Sequence, residues 1–85
     1  MIELDVRGLE HPEPLERSVE AFKKLKGDAM FHLIIHRFPK PLLMIAEKQG
    51  IAFAWCQKSE EEWHLLFSRD PAADLQARVR RWCDV

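Results

Sequence analysis

The sequence predicts an α+β two-layer sandwich, a four-stranded mixed sheet with two helices on its apolar face and an extra C-terminal helix. Three observations lead there. Four short segments alternate apolar and polar side chains, the period-two signature of half-buried strands. Two segments between them repeat apolar residues at helical spacing, each opened by a pair of prolines and closed by a glycine. The resulting order is βαβαββ, joined by connections short enough to keep sequential elements adjacent. A chain of 85 residues allows one domain, residues 1–85, and a domain this small must spend most of its large apolar side chains on the core.

The first strand, residues 2–6, puts Ile2, Leu4 and Val6 on one face. Gly8 permits a turn, and Pro12 and Pro14 bracket a helix start, where a missing N–H costs nothing. Glu13 and Glu16 favour that end through the helix dipole, and Lys23, Lys24 and Lys26 favour the other. Leu15, Val19, Phe22 and Leu25 form the apolar stripe, and Gly27 is expected to stop the helix as a left-handed cap. The second strand, Met30 to His36, turns Phe31, Leu33 and Ile35 to one side. Pro39 and Pro41 open a second helix carrying Leu42, Ile45 and Ala46, which ends at Gly50. The third strand presents Ile51, Phe53 and Trp55, the fourth Trp63, Leu65 and Phe67. Lys58-Ser59-Glu60-Glu61 forms the turn between them, and the acid run Glu60-Glu61-Glu62 reads as a solvated tip. A third helix is expected over residues 71–83, with Asp70 as N-cap, Pro71 first, and Ala72, Leu75, Val79 and Trp82 on one stripe.

Right-handed crossovers make strands one, two and three parallel, and the short turn makes strand four antiparallel to strand three. The apolar face takes the first two helices. The opposite face carries Glu3, Asp5, Met30, His32, Ile34, His36, Ala52, Ala54, Cys56, His64, Leu66 and Ser68. The small row Ala52, Ala54, Cys56 leaves room for a covering layer. The third helix of the same chain is the favoured cover, and a partner chain is the alternative.

The string Leu4-Asp5-Val6-Arg7-Gly8-Leu9-Glu10-His11-Pro12-Glu13-Pro14 resembles the opening motif of the SirA-like, TusA-related sulfur-carrier family. In that family Asp-x-x-Gly-Leu ends a strand and Cys-Pro-x-Pro starts the first helix, the cysteine carrying persulfide sulfur. Asp5, Gly8, Leu9, Pro12 and Pro14 match, and His11 stands at the cysteine position. An imidazole cannot hold a persulfide. The chain is therefore more similar to a cysteine-less SirA-like domain of unknown function, sometimes found beside hemerythrin-like domains. Pro39-Lys40-Pro41-Leu42 and the aromatic hairpin at Trp55 and Trp63 add to that resemblance, which covers a core of about residues 2–68. It implies strand order 1-2-4-3 and no established activity.

Charge and composition exclude several classes. Thirteen Lys and Arg against fourteen Asp and Glu give a net charge of −1, which argues against nucleic-acid binding. No apolar run reaches the roughly 20 residues of a membrane span. The acidic opening Met1–Asp5 lacks the pattern of a secretory signal, so the cytoplasm is the expected compartment. There Cys56 and Cys83 are expected to be reduced, ordinary thiols. Neither G-x-S-x-G nor a Gly-rich phosphate loop is present, so catalysis finds little support. Trp55 and Trp63 are expected in the core.

The first candidate binding surface lies where both helices begin, at the carboxyl ends of parallel strands. His11, Glu13, His36, Arg37 and Lys40 gather there, beside helix N-termini suited to an anion or a partner's carboxylate. Helix starts and solvated charges explain the same residues without a ligand. The second candidate is a metal or haem site from His32, His36 and His64, though their spacing matches no metal signature. No cofactor is therefore expected. The reading is a non-catalytic interaction or carrier-like module with a protein partner, neither nucleic acid nor membrane, and a homodimer through the open sheet face or C-terminal helix as an option. A metal- or haem-linked sensor, and sulfur transfer by a relocated thiol at Cys56 or Cys83, are the alternatives.

Overall fold

A computed structural model describes residues 1–84. The strands are β1 (Ile2–Asp5), β2 (Met30–Ile35), β3 (Ala52–Ser59) and β4 (Glu62–Ser68). The helices are α1 (Glu13–Lys24), α2 (Lys40–Lys48) and α3 (Leu75–Val79), the last running into a 3-10 turn, Arg80–Trp82. The sheet order is β1-β2-β4-β3, with β1 parallel to β2 and β4 antiparallel to both neighbours.

The register keeps the two faces apart. Phe31 stands opposite Phe67, Leu33 opposite Leu65 and Phe53 opposite Phe67, all on the side covered by α1 and α2. Phe67 is the hub: its ring lies 5.0 Å from Phe22, 5.3 Å from Phe31 and 6.2 Å from Phe53. On the reverse face, Ala54 and Leu66 pack with Leu75 and Val79, joined by Met30, Cys56, Ala73 and Trp82. The chain's own C-terminal segment thus covers Ala54 and Cys56 of the small row, while Ala52 stays exposed.

Four local expectations need correction. First, α1 ends at Lys24, and Gly27 lies beyond it in a separate turn at φ +57°. Leu25 leaves helical geometry at ψ 118°, and so enters the core. Gly50 does act as the left-handed residue after α2. Its N–H donates to Glu47 O and that of Ile51 to Ala46 O, the paired bonds of a Schellman motif. Second, the last helix starts at Leu75, not at residue 71. Asp70 closes a local turn by accepting from Ala72 N–H, and Asp74 is the N-cap, accepting from Ala77 N–H at 3.2 Å. Ala72 is consequently exposed.

Third, Trp55 is 42% exposed. It lies on edge strand β3, its ring meeting Phe38 edge-on at 5.1 Å and Trp63 at a tilt at 5.4 Å. Fourth, Cys56 and Cys83 are not separate thiols. They form a disulfide across 27 residues of sequence, possible because the 3-10 turn brings Cys83 back onto β3.

Candidate functional site

The loops that leave β1 and β2 both turn into helices at one end of the sheet. Each helix starts the same way: a proline N-cap (Pro12, Pro39), one charged residue (Glu13, Lys40), then a second proline (Pro14, Pro41). Neither start has a side-chain cap, but the first N–H of each is taken by its own loop, Glu13 N–H donating to Glu10 O at 3.0 Å and Lys40 N–H to Phe38 O at 3.1 Å. The prolines have none, which leaves the N–H groups of Leu15 and Leu42 in these first turns. Between the two loops lies a cleft of about 560 Å³. Its floor is Leu9, Leu15, Ile35 and Leu42, and its polar lining is Glu10, His11, His36 and Arg37.

Of the five residues expected here, the structure brings three together. His11, His36 and Arg37 line the cleft. Glu13 lies along its own helix instead, its Oε1 accepting from Arg17 Nη2 at 2.9 Å in an i,i+4 pair. Lys40 is exposed and outside the lining. Helical geometry accounts for both: these N1 side chains project from the outer surface, whereas the loop residues before them face the gap. Phe38 was missed. It lines the cleft and also meets Trp55 at 5.1 Å and Trp63 at 5.3 Å, which extends the wall as an aromatic ridge. An apolar residue directly before a helix-starting proline was the available signal.

His36 Nδ1 is shielded from solvent and has no hydrogen-bond partner among the described residues. Buried polar atoms are ordinarily paired, so this nitrogen is an exception that the described residues leave unsatisfied.

The histidines divide differently from the metal hypothesis. His36 belongs to the cleft, while His32 and His64 meet on the opposite sheet face, and no group of three metal-ligating side chains occurs among the described residues. His32 Nε2 and His64 Nδ1 are 2.9 Å apart, and His64 Nε2 lies 2.7 Å from Glu62 Oε2. A carboxylate only accepts, so His64 carries its hydrogen on Nε2. His64 Nδ1 then accepts from His32 Nε2–H, which leaves His32 Nδ1 as a bare lone pair, buried and unpartnered, 3.9 Å from Glu3 Oε1. Arg7 continues the chain, donating to Glu62 Oε1 at 3.0 Å and Asp5 Oδ2 at 2.7 Å. Glu62 is therefore not part of a solvated tip, unlike the exposed Glu60 and Glu61. The bond from His64 holds the Glu62 carboxyl below its ordinary range, and that from Arg7 does so for Asp5. Trp82 lies flat on His32, ring centroids 3.7 Å apart.

Burial, then the neighbouring His64, pushes the His32 pKa down. A base with a depressed folded pKa binds its proton more readily when unfolded, so its contribution is intact above the ordinary value of about 6.5 and is lost as pH falls below it. Urea unfolding at pH 7.5 and pH 5 should show lower stability at the acid end. His32→Phe, which keeps a flat ring under Trp82, should flatten that slope. The carboxylates Asp5 and Glu62 act in a separate window, below about pH 4.3.

Fold and cleft together define an α+β domain with a four-stranded mixed sheet and a cavity at the ends of β1 and β2. The chain belongs to a family of uncharacterized conserved proteins, DUF2249, whose model matches residues 3–69. No curated protein and no solved structure gives a significant match.

Proposed function

We propose that the chain is a small non-catalytic interaction or carrier-like module. Its recognition surface is the cleft at the N-termini of α1 and α2, and its target is a ligand or partner segment combining an anionic group with an apolar or aromatic body. The observation that carries this reading is His36, whose buried, unpaired Nδ1 belongs to a residue lining the cleft beside Arg37 and His11. The positive dipole ends of two helices, with the N–H groups of Leu15 and Leu42, add to the preference for negative charge. Leu9, Ile35, Leu42 and Phe38 supply the apolar surface.

We also read the family as SirA-like. The βαβαββ order, the strand order β1-β2-β4-β3 and the motif residues Asp5, Gly8, Leu9, Pro12 and Pro14 support this. His11 at the sulfur-carrying position then makes the site one that binds without transferring sulfur. A cytoplasmic location belongs to the same proposal, and there the Cys56–Cys83 bond would be a transient, exchangeable one rather than a permanent staple.

Titration of the ¹⁵N-labelled protein with N-acetyltryptophan, a carboxylate bearing an aromatic ring, tests the surface. Backbone shifts should concentrate at residues 8–11 and 36–38. The double variant His11→Ala, Arg37→Ala should weaken binding by about tenfold or more, as loss of a charge-assisted contact does. Shifts elsewhere, or unchanged affinity in the double variant, would refute the assignment.

A further inference from the structure

We propose that the Cys56–Cys83 disulfide is a reversible thiol-exchange site, and that its redox state decides whether the C-terminal cap stays closed over the His32–His64 pair. The inference is independent of the cleft, which lies on the other face of the sheet.

The cap is slight. Five residues of α3 and one 3-10 turn form it, and only Leu75 and Val79 are fully buried there. Trp82 is half-buried, lying on His32 and in line with His64. Cys83 follows Trp82 directly, so the disulfide fixes the end of the cap to β3 at the point where it shields the imidazoles. Cys56 stands opposite His64 in the sheet register. Both cysteines are partly exposed rather than buried in the core, and access is what thiolate attack on a disulfide requires.

Closure also leaves something unsatisfied. His32 Nδ1 is shut away from water without a partner, and an opened cap would let water reach it. The groups facing the pair are Glu3 and Asp5 from β1 and Glu62 from β4, while the cap's arginines, Arg78, Arg80 and Arg81, are exposed. Two closed-state features thus oppose each other: a covalent tether that holds the segment down and a buried polar atom that favours its release.

The exchange partner is a small thiol or dithiol. Its thiolate bonds to one sulfur of the pair and expels the other as a thiolate, which takes up a proton. A second thiolate resolves the mixed disulfide. Two electrons and two protons pass to the protein, giving Cys56 and Cys83 as thiols, and the reductant leaves as its own disulfide.

Hydrogen exchange of the full chain, before and after dithiothreitol, tests the proposal. Intact mass should rise by the two hydrogens of the step. Exchange at residues 75–83 should accelerate on the order of a hundredfold, the scale of a lost loop constraint of this length, while β2, β4 and α1 keep their protection. Trp82 emission, read in a Trp55→Phe, Trp63→Phe background, should shift to the red, and oxidised glutathione should reverse both changes. Cys83→Ser should show the open pattern without reductant. Unchanged exchange at 75–83 on reduction would overturn the proposal. So would loss of protection throughout the sheet, failure of Cys83→Ser to fold, or two thiols that persist after oxidised glutathione.

Discussion

Phe67→Ala should lower the unfolding free energy by about 3–5 kcal/mol, the usual cost of removing a buried phenyl ring from a packed core. The ring is fully buried and touches Phe22, Phe31 and Phe53, so the hole would open between α1 and three strands at once. Neighbouring aromatics are held by their own packing and cannot collapse freely into the gap, which places the cost toward the upper end. Small domains are stable by about 5–15 kcal/mol in total. The variant should therefore melt at least about 12 °C lower, or be partly unfolded at room temperature. Met44→Ala on the outer surface of α2, where the side chain is 54% exposed, should change stability by no more than about 0.5 kcal/mol. Chemical denaturation of both variants beside the parent checks the pair. Equal effects would mean that the sheet is not packed around Phe67.

The same ring shows why the fold was legible in the sequence. Period-two alternation assigned Phe31, Phe53 and Phe67 to one face independently of one another, and the sheet register sets Phe67 against both of the others. Strand alternation and helix periodicity report burial, and burial decides a two-layer fold. What escaped the sequence depends on contacts between distant residues. Trp55 obeys the alternation and still ends half in solvent, because periodicity tells which face a residue is on but not how far the cover extends. Glu62 looked like one more acid at a turn, yet it meets Arg7, which is 55 residues away in the chain. The Cys56–Cys83 bond likewise needed the return path of the C-terminal turn, which no spacing rule encodes. The cleft was half legible: proline pairs located both helix starts, so His11, His36 and Arg37 could be grouped, but side-chain direction removed Glu13 and Lys40.

Arg69→Ala should cost about 2–3 kcal/mol, a large effect for a residue that is neither apolar nor in the cleft. Arg69 follows β4 directly and reaches the far ends of both helices. Its Nε donates to Leu25 O at 3.0 Å and its Nη2 to Phe22 O at 3.3 Å, while Nη1 donates to Gln49 O at 3.1 Å. These carbonyls close α1 and α2, where the dipole is negative and acceptors run short of donors; Phe22 O has one already, the Leu25 N–H at 3.2 Å, and Arg69 adds a second. One guanidinium thus caps two helices and ties both to the sheet. Partial exposure keeps the loss moderate, since water can reach some of the freed oxygens. Arg69→Lys should recover less than half of the loss, because a single ammonium lacks the planar fork that spans separate carbonyls. The helix starts lie at the opposite ends of α1 and α2, so loosening here should reach the cleft only through a change in helix position. Thermal melts of both variants, with N-acetyltryptophan affinity as second readout, separate the two effects. Lower stability with unchanged affinity would make Arg69 a clamp on the fold alone. Weakened binding at a temperature where the variant is fully folded would mean that the two helix starts are held in place from their far ends.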